Sequence, residues 1–131
     1  MAIAMLDTTV LIDILRGRPE TKRRLLELRS LDDTPRTCSI NVDEVVRGLR
    51  PSEEEGARRL FRGLGIIPLR EAEGWQAGTW RREFAARGVT LSQADCLVAA
   101  ATFTSGARLC TGNPKDFPMS EIIVDHWRVG Q

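Results

Sequence analysis

The run Ile3-Ala4-Met5-Leu6-Asp7-Thr8-Thr9-Val10-Leu11-Ile12-Asp13 decides how this chain is read. A short apolar stretch ends in a carboxylate. Two hydroxyls follow, and Val10, Leu11, Ile12, Ile14 and Leu15 then recur with helical spacing. An apolar run closed by a polar turn fits a strand buried on both faces. Asp7 then stands at the carboxyl end of a first strand, the edge of an open parallel α/β sheet where ligands bind. The remaining question is what else arrives at that edge.

Outward from that run, Gly17 stops the first helix. Pro19 opens a second, through about Leu31, with Leu25, Leu26 and Leu28 inward. Asp32-Asp33-Thr34-Pro35 reads as a turn, Arg36 to Ile40 as a second strand, and Asn41 as the cap of a helix to about Leu49. Pro51-Ser52 opens a helix through Leu64. Ile66 to Leu69 is a short third strand, placed at an edge by Pro68. Residues 71–87 are helical up to Gly88. Ser92 caps a helix to about Ser105, stopped by Gly106. Arg108 to Thr111 and Glu121 to Asp125 complete the strands. Strands alternating with helices predict an α/β fold: one domain over residues 1–131, with a parallel sheet of about five strands flanked by helices on both faces.

Composition narrows the function. The chain has 131 residues, 42% of them hydrophobic, enough for one domain with a real core. Lys+Arg total 19 against 18 Asp+Glu, so nucleic-acid contact, if made, comes from a local patch and not a global basic field. No window approaches the ~18 consecutive apolar residues of a membrane span. The first apolar run stops at Asp7 without a basic flank, unlike a secretory signal. Cys38, Cys96 and Cys110 lie far apart in apolar contexts, which predicts buried thiols in a reducing cytoplasm, not disulfides or a zinc site. The single histidine, His126, excludes ribonuclease chemistry that needs two.

Several acids reach the edge that Asp7 marks. Glu44 falls in the first turn after strand two, Asp95 in the first turn of the helix before strand four, and Asn113 and Asp116 in the loop after strand four. Clustered carboxylates repel unless a cation lies between them. Oxygen donors without His or Cys suit a hard ion, Mg²⁺ or Mn²⁺. The oxygens of Asp7, Glu44 and Asp95 are accordingly expected within metal-bridging reach. The same residues have a structural reading. Asn41-x-x-Glu44 and Ser92-x-x-Asp95 match capping boxes, as does Ser52-x-x-Glu55, and Asp7 matches an N-cap. Spacing alone leaves both readings open.

Taken together, Asp7-Thr8-Thr9-Val10-Leu11-Ile12-Asp13, Glu44-Val45-Val46-Arg47-Gly48-Leu49, Ala94-Asp95-Cys96-Leu97-Val98-Ala99-Ala100 and Leu109-Cys110-Thr111-Gly112-Asn113-Pro114-Lys115-Asp116-Phe117 resemble a PIN-domain ribonuclease. The resemblance is greatest to the VapC-type toxins of toxin–antitoxin pairs and covers nearly the whole chain. It implies an endoribonuclease dependent on Mg²⁺ or Mn²⁺, a homodimer, RNA as substrate and a small VapB-type antitoxin as inhibitor. The family's first three acids match Asp7, Glu44 and Asp95. At the fourth position the family often carries an acid where this chain has Asn113, an amide; Asp116 is retained nearby as a fourth acid. Thr8, Thr9 and Thr111 match positions that line the site.

Other features have two readings each. Arg16, Arg18, Lys22, Arg23 and Arg24, with Arg47 and Arg50, are either solvated helix faces or a phosphate-binding rim. Trp75, Trp80 and Phe84 share one helix and serve core or dimer packing, or base stacking. Two competing functions remain. A haloacid-dehalogenase-like phosphatase would need Asp-x-Asp, and Thr9 occupies the second place. A PIN-like module that only binds partners is kept open by Asn113.

Overall fold

The computed structural model describes residues 2–131. In chain order it runs β1 (Ile3–Leu6), α1 (Thr8–Leu15), α2 (Pro19–Ser30), β2 (Thr34–Cys38), α3 (Ser39–Arg47), a 3-10 turn at Pro51–Glu53, α4 (Glu54–Arg62), β3 (Gly65–Ile67), α5 (Glu71–Ala86), α6 (Gln93–Thr104), β4 (Arg108–Thr111), a 3-10 turn at Pro114–Asp116 and β5 (Ile123–His126). The helix stops act as expected: Gly17, Gly88 and Gly106 take φ of 70°, 79° and 70°, which favours a residue without Cβ.

The five strands form one parallel sheet in the order β3-β2-β1-β4-β5. Successive side chains of a strand face opposite sides. Met5 and Leu109, paired across β1 and β4, enter a core with Ala77 and Trp80 of α5 and Val98 to Ala101 of α6. Ala4, Leu6 and Cys110 enter a second core with Val10, Leu11, Leu28 and Val45, against which Leu60 and Phe61 of α4 pack. Helices therefore cover both faces. Among the described residues no helix is long and apolar enough to cross a membrane. The three cysteines are free and buried, and burial pushes the Cys110 thiol up to about 12.

The order of strands matters for function. The chain builds outward from β1 through β2 to β3, then crosses to the other side of β1 for β4 and β5. The β1–β4 boundary is the switch point of the sheet, and in open α/β sheets ligands bind at such a point, outside the carboxyl ends of the strands. The helix α6 precedes β4 and is joined to it by only three residues, so it starts at that carboxyl edge and ends at the opposite one. This settles where Asp95 lies.

Several boundaries differ from the sequence reading: β3 is Gly65–Ile67 and leaves Pro68 outside it, the helix read from Pro51 to Leu64 is a 3-10 turn followed by Glu54–Arg62, and β5 is Ile123–His126. β2 begins at Thr34, so Pro35 lies inside a strand and pairs with Ala4. Proline is tolerated because pairing with β3 begins only at Arg36, so no ladder bond is required on that side. Helix α3 begins at Ser39 with Cys38 as its N-cap, so Asn41 is not the cap.

Candidate active site

The Asp7 carboxylate is at the centre of a hydrogen-bonded chain. Asp7 is 7% exposed, at the junction of β1 and α1. It has the backbone of an N-cap, φ −77° and ψ 163°, yet its side chain makes no capping bond. Instead Oδ2 accepts from Thr111 Oγ1 at 2.7 Å and Oδ1 accepts from Asn41 Nδ2 at 3.3 Å. The same Asn41 amide donates to Thr8 Oγ1 at 3.1 Å, and Thr8 donates to Glu44 Oε1 at 2.6 Å. Thr111 Oγ1 also accepts the Asn113 N–H at 3.0 Å, and Thr9 Oγ1 accepts the Gly112 N–H at 2.9 Å. Thr8, Thr9 and Thr111 thus join three segments of the sheet edge.

The other acids are coupled through their charge. Burial raises the Asp7 carboxyl above its ordinary range; Asp95 and Glu44 push the same way, while the Thr111 hydroxyl and the Thr8 amide oppose. Burial also raises Asp95, opposed by Ser92, with the charges of Asp116 and Glu44 adding to the rise. Asp116 lies in the 3-10 turn after β4 and is half-buried; Asn113 is exposed. Among the described residues no salt bridge reaches Asp7, Glu44, Asp95 or Asp116. The edge therefore gathers negative charge without a basic counterpart.

The capping readings resolve separately. Glu44 is the sixth residue of α3, beyond the first turn, and does not cap it. At α6, Ser92 Oγ accepts the Asp95 backbone N–H at 3.0 Å, so capping is done by the serine, through an atom that any residue at 95 supplies. The expectation that Asp7, Glu44 and Asp95 converge within metal-bridging reach is not met: among the described residues no three His, Cys, Asp or Glu side chains group around one point. The exposed Glu44 is instead turned to Thr8. A divalent ion suits such an open arrangement, because Mg²⁺ takes one or two carboxylates and keeps several waters for exchange with a phosphate.

The family model of the PIN domain matches residues 4–118. The chain belongs to the PIN domain family. Ribonuclease VapC2 of Rickettsia felis is 27% identical over 131 residues, 95% of this chain and 98% of the relative. Ribonuclease VapC19 of Mycobacterium tuberculosis is 27% identical over 115 residues, 88% and 92% of the two chains. Among solved structures, DNA-bound VapBC from Salmonella typhimurium superposes with a TM-score of 0.83 at 22% identity, covering 97% of this chain and 99% of that one. VapBC2 from Rickettsia felis, bound to a promoter DNA fragment, gives 0.81 at 24% identity, covering 95% and 98%.

Asn41 is the residue of this PIN domain that sequence reasoning misplaced. It is fully buried, receives the Cys38 N–H on Oδ1 at 3.3 Å, and spends its amide on Asp7 and Thr8. A polar residue directly after an apolar strand was the available signal, and its resemblance to a helix cap masked it. The basic run is also partly spent. Arg23 pairs with Glu20 and Glu27, and Arg24 pairs with Asp125 at 3.0 Å while lying over the Trp127 ring. Arg24 is structural; Arg23, paired only within its own helix, is exposed, as are Arg16, Arg18 and Lys22. Trp80 is buried and Trp75 exposed, which splits the aromatic helix between core and surface.

The raised Asp95 carboxyl has a testable consequence in this PIN domain. The folded chain holds that proton more tightly than the unfolded chain. Its stabilising contribution is complete below the ordinary aspartate pKa and lost as pH climbs through the raised one. In EDTA, the melting temperature of Asp95→Asn minus that of the wild type should therefore grow as pH rises from the ordinary aspartate range through the raised one. A gap that stays constant or shrinks contradicts this placement of Asp95.

Proposed function

We propose that this PIN domain is a metal-dependent endoribonuclease that hydrolyses RNA phosphodiesters as the toxin of a VapBC-type pair. The observation that supports it most is the arrival of Asp7, Glu44, Asp95 and Asp116 at one sheet edge, where Asp95 and Glu44 act on Asp7, and Asp116 and Glu44 on Asp95, through their charge, and where among the described residues no salt bridge reaches any of the four. Asp7 and Asp95 would hold Mg²⁺ or Mn²⁺, with Glu44 and Asp116 at its sides and Thr8, Thr9, Thr111 and Asn113 around them. When bound, the ion would lower the pKa of a water and offset charge on a phosphate. The chain's own contribution is orientation. Thr111 and Asn41 fix the rotamer of Asp7, and Thr8 fixes Glu44. The start of α6 favours the ionised form of Asp95.

The reading includes a cytoplasmic homodimer and a cognate antitoxin. A concavity of about 860 Å³ lies between α3 and α4. Val46, Leu49, Phe61 and Ile66 line it, with Arg50, Arg58 and Arg62 also on its walls. This is a fit for the apolar face of an antitoxin helix flanked by acidic residues. Its continuing tail would place a basic side chain among the acids.

Single-stranded RNA incubated with the antitoxin-free protein tests the activity. Cleavage is expected with Mg²⁺ or Mn²⁺ and is expected to stop in EDTA. Cleavage that persists in EDTA overturns the metal dependence. RNA that binds but stays intact with either ion favours the binding-only module.

A further inference from the structure

Asp13 closes the β1–α1 run but takes no part in the acid network. It is 6% exposed in the interior of α1. Both of its hydrogen bonds end on one oxygen: Oδ2 accepts from Thr21 Oγ1 at 3.0 Å and from the Gly130 N–H at 2.6 Å. The second bond spans 117 positions and ties residues 127–131 back to the first helix. At the other end of this segment, the Trp127 N–H donates to the Thr111 carbonyl at 2.9 Å. Trp127 is itself buried beneath the Arg24 guanidinium, 4.9 Å from its ring centroid.

Val129 lies between these two anchors. A Cβ built on Gly112 would fall 2.6 Å from Val129 Cγ2 and 2.7 Å from Cγ1, closer than packed atoms allow. Val129 is therefore seated on the bare backbone of Gly112. Gly112 begins the turn after β4 that carries Asn113 and Asp116. On its other side that turn is held by Thr9 and Thr111, through the Gly112 and Asn113 amides.

We propose that Asp13 is a positioning residue for the acid site: by anchoring residues 127–131 it holds Val129 against Gly112 and so sets the turn that presents Asn113 and Asp116. Its effect on cleavage rests on the nuclease reading above; its effect on the turn does not.

Amide hydrogen exchange, Mn²⁺ binding by calorimetry and RNA cleavage together test this. Asp13→Ala is expected to speed exchange at Gly112 and Asn113, with β1 unchanged, and to weaken Mn²⁺ binding and cleavage about 10- to 100-fold, as when groups that orient metal ligands are lost. Asp13→Asn should behave close to wild type, because one amide oxygen can serve both donors. Val129→Ala leaves Asp13 intact yet should loosen the same two amides, and adding Asp13→Ala to it should cost little more, since both act through one contact. Gly112→Ala should lose Mn²⁺ affinity, and Val129→Ala should restore part of it, because it removes both Cγ atoms and leaves only Val129 Cβ, 3.2 Å away. If Asp13→Ala fails to fold, the Gly112 and Val129 variants decide the matter. Unchanged exchange at Gly112 and Asn113 in Val129→Ala, or in a folded Asp13→Ala, overturns the proposal. So does exchange that rises evenly across the protein with Mn²⁺ affinity unmoved. If the wild type cuts no RNA with either ion, the nuclease reading falls, while exchange and Mn²⁺ binding still decide the role of Asp13.

Discussion

Asp95→Asn should give a folded protein that has lost RNA cleavage by about two to four orders of magnitude, the range expected when a group acting directly on the reaction is removed. Loss of fold will not explain it. The bond that caps α6 runs from the Asp95 backbone N–H to Ser92 Oγ at 3.0 Å, and the substitution leaves it in place. The side chain that changes is a half-buried carboxylate raised by burial and by Asp116 and Glu44. Removing its charge relieves repulsion, so without metal the variant should melt at the wild-type temperature or slightly above. The gain is small because solvent and salt screen a partly exposed group. Mn²⁺ should raise the melting temperature of the wild type more than that of the variant, since it binds only the folded site. Ser92→Ala is the complement: it should lose about 0.5–2 kcal/mol of stability as a cap is removed, and still cut RNA. Melts of the three proteins with EDTA and with Mn²⁺, beside one cleavage assay, decide the matter. A destabilised Asp95→Asn that still cuts would end the assignment.

Trp80→Ala is the substitution expected to damage the fold most. Trp80 is 1% exposed and is among the largest fully buried side chains. It meets Phe103 of α6 edge to face, with centroids 6.1 Å apart and planes at 69°, and donates from Nε1 to Glu121 at 2.9 Å. Truncation removes the ring contact and opens a cavity between α5, α6 and the sheet, costing about 3–5 kcal/mol. For a domain of this size that lowers the melting temperature by on the order of 10–20 °C. Trp75→Ala, five residues earlier on another face of α5, should stay within about 0.5 kcal/mol of wild type, because Trp75 is 69% exposed. Urea unfolding of both variants measures the difference. Were Trp80→Ala stable but poor at binding RNA, the ring would be a base-stacking surface and not core.

Some local errors of the sequence reading share a cause. Pro35 looked like a turn residue because proline removes a ladder donor; whether that donor is needed depends on where β3 begins, a chain segment 30 positions away. Asn41 looked like the N-cap; it is the third residue of α3, where its Oδ1 accepts the N–H of the actual cap, Cys38, while its amide reaches Asp7 and Thr8, more than 30 positions back. Arg24 looked free to bind phosphate until β5 brought Asp125 against it, 101 positions on. In each case the residue was assessed against its neighbours in sequence, and the deciding contact lay in another element.

The sequence by itself determined the alternation of strands and helices and the glycine stops, because these depend on periodicity and spacing along a few residues; it offered Asp7, Glu44, Asp95 and Asp116 as candidates for one sheet edge, with spacing leaving their role open. It also carried the resemblance to the PIN family that the family model bears out over residues 4–118. Only the tertiary structure decided what each polar group does. It set the strand order that makes β1–β4 the switch point. It turned Asp7 away from its helix towards Thr111, 104 positions distant, and left Ser92 alone to cap α6. A side chain's rotamer and ionisation depend on which donors and charges packing places within a few ångströms, and the sequence does not list those neighbours.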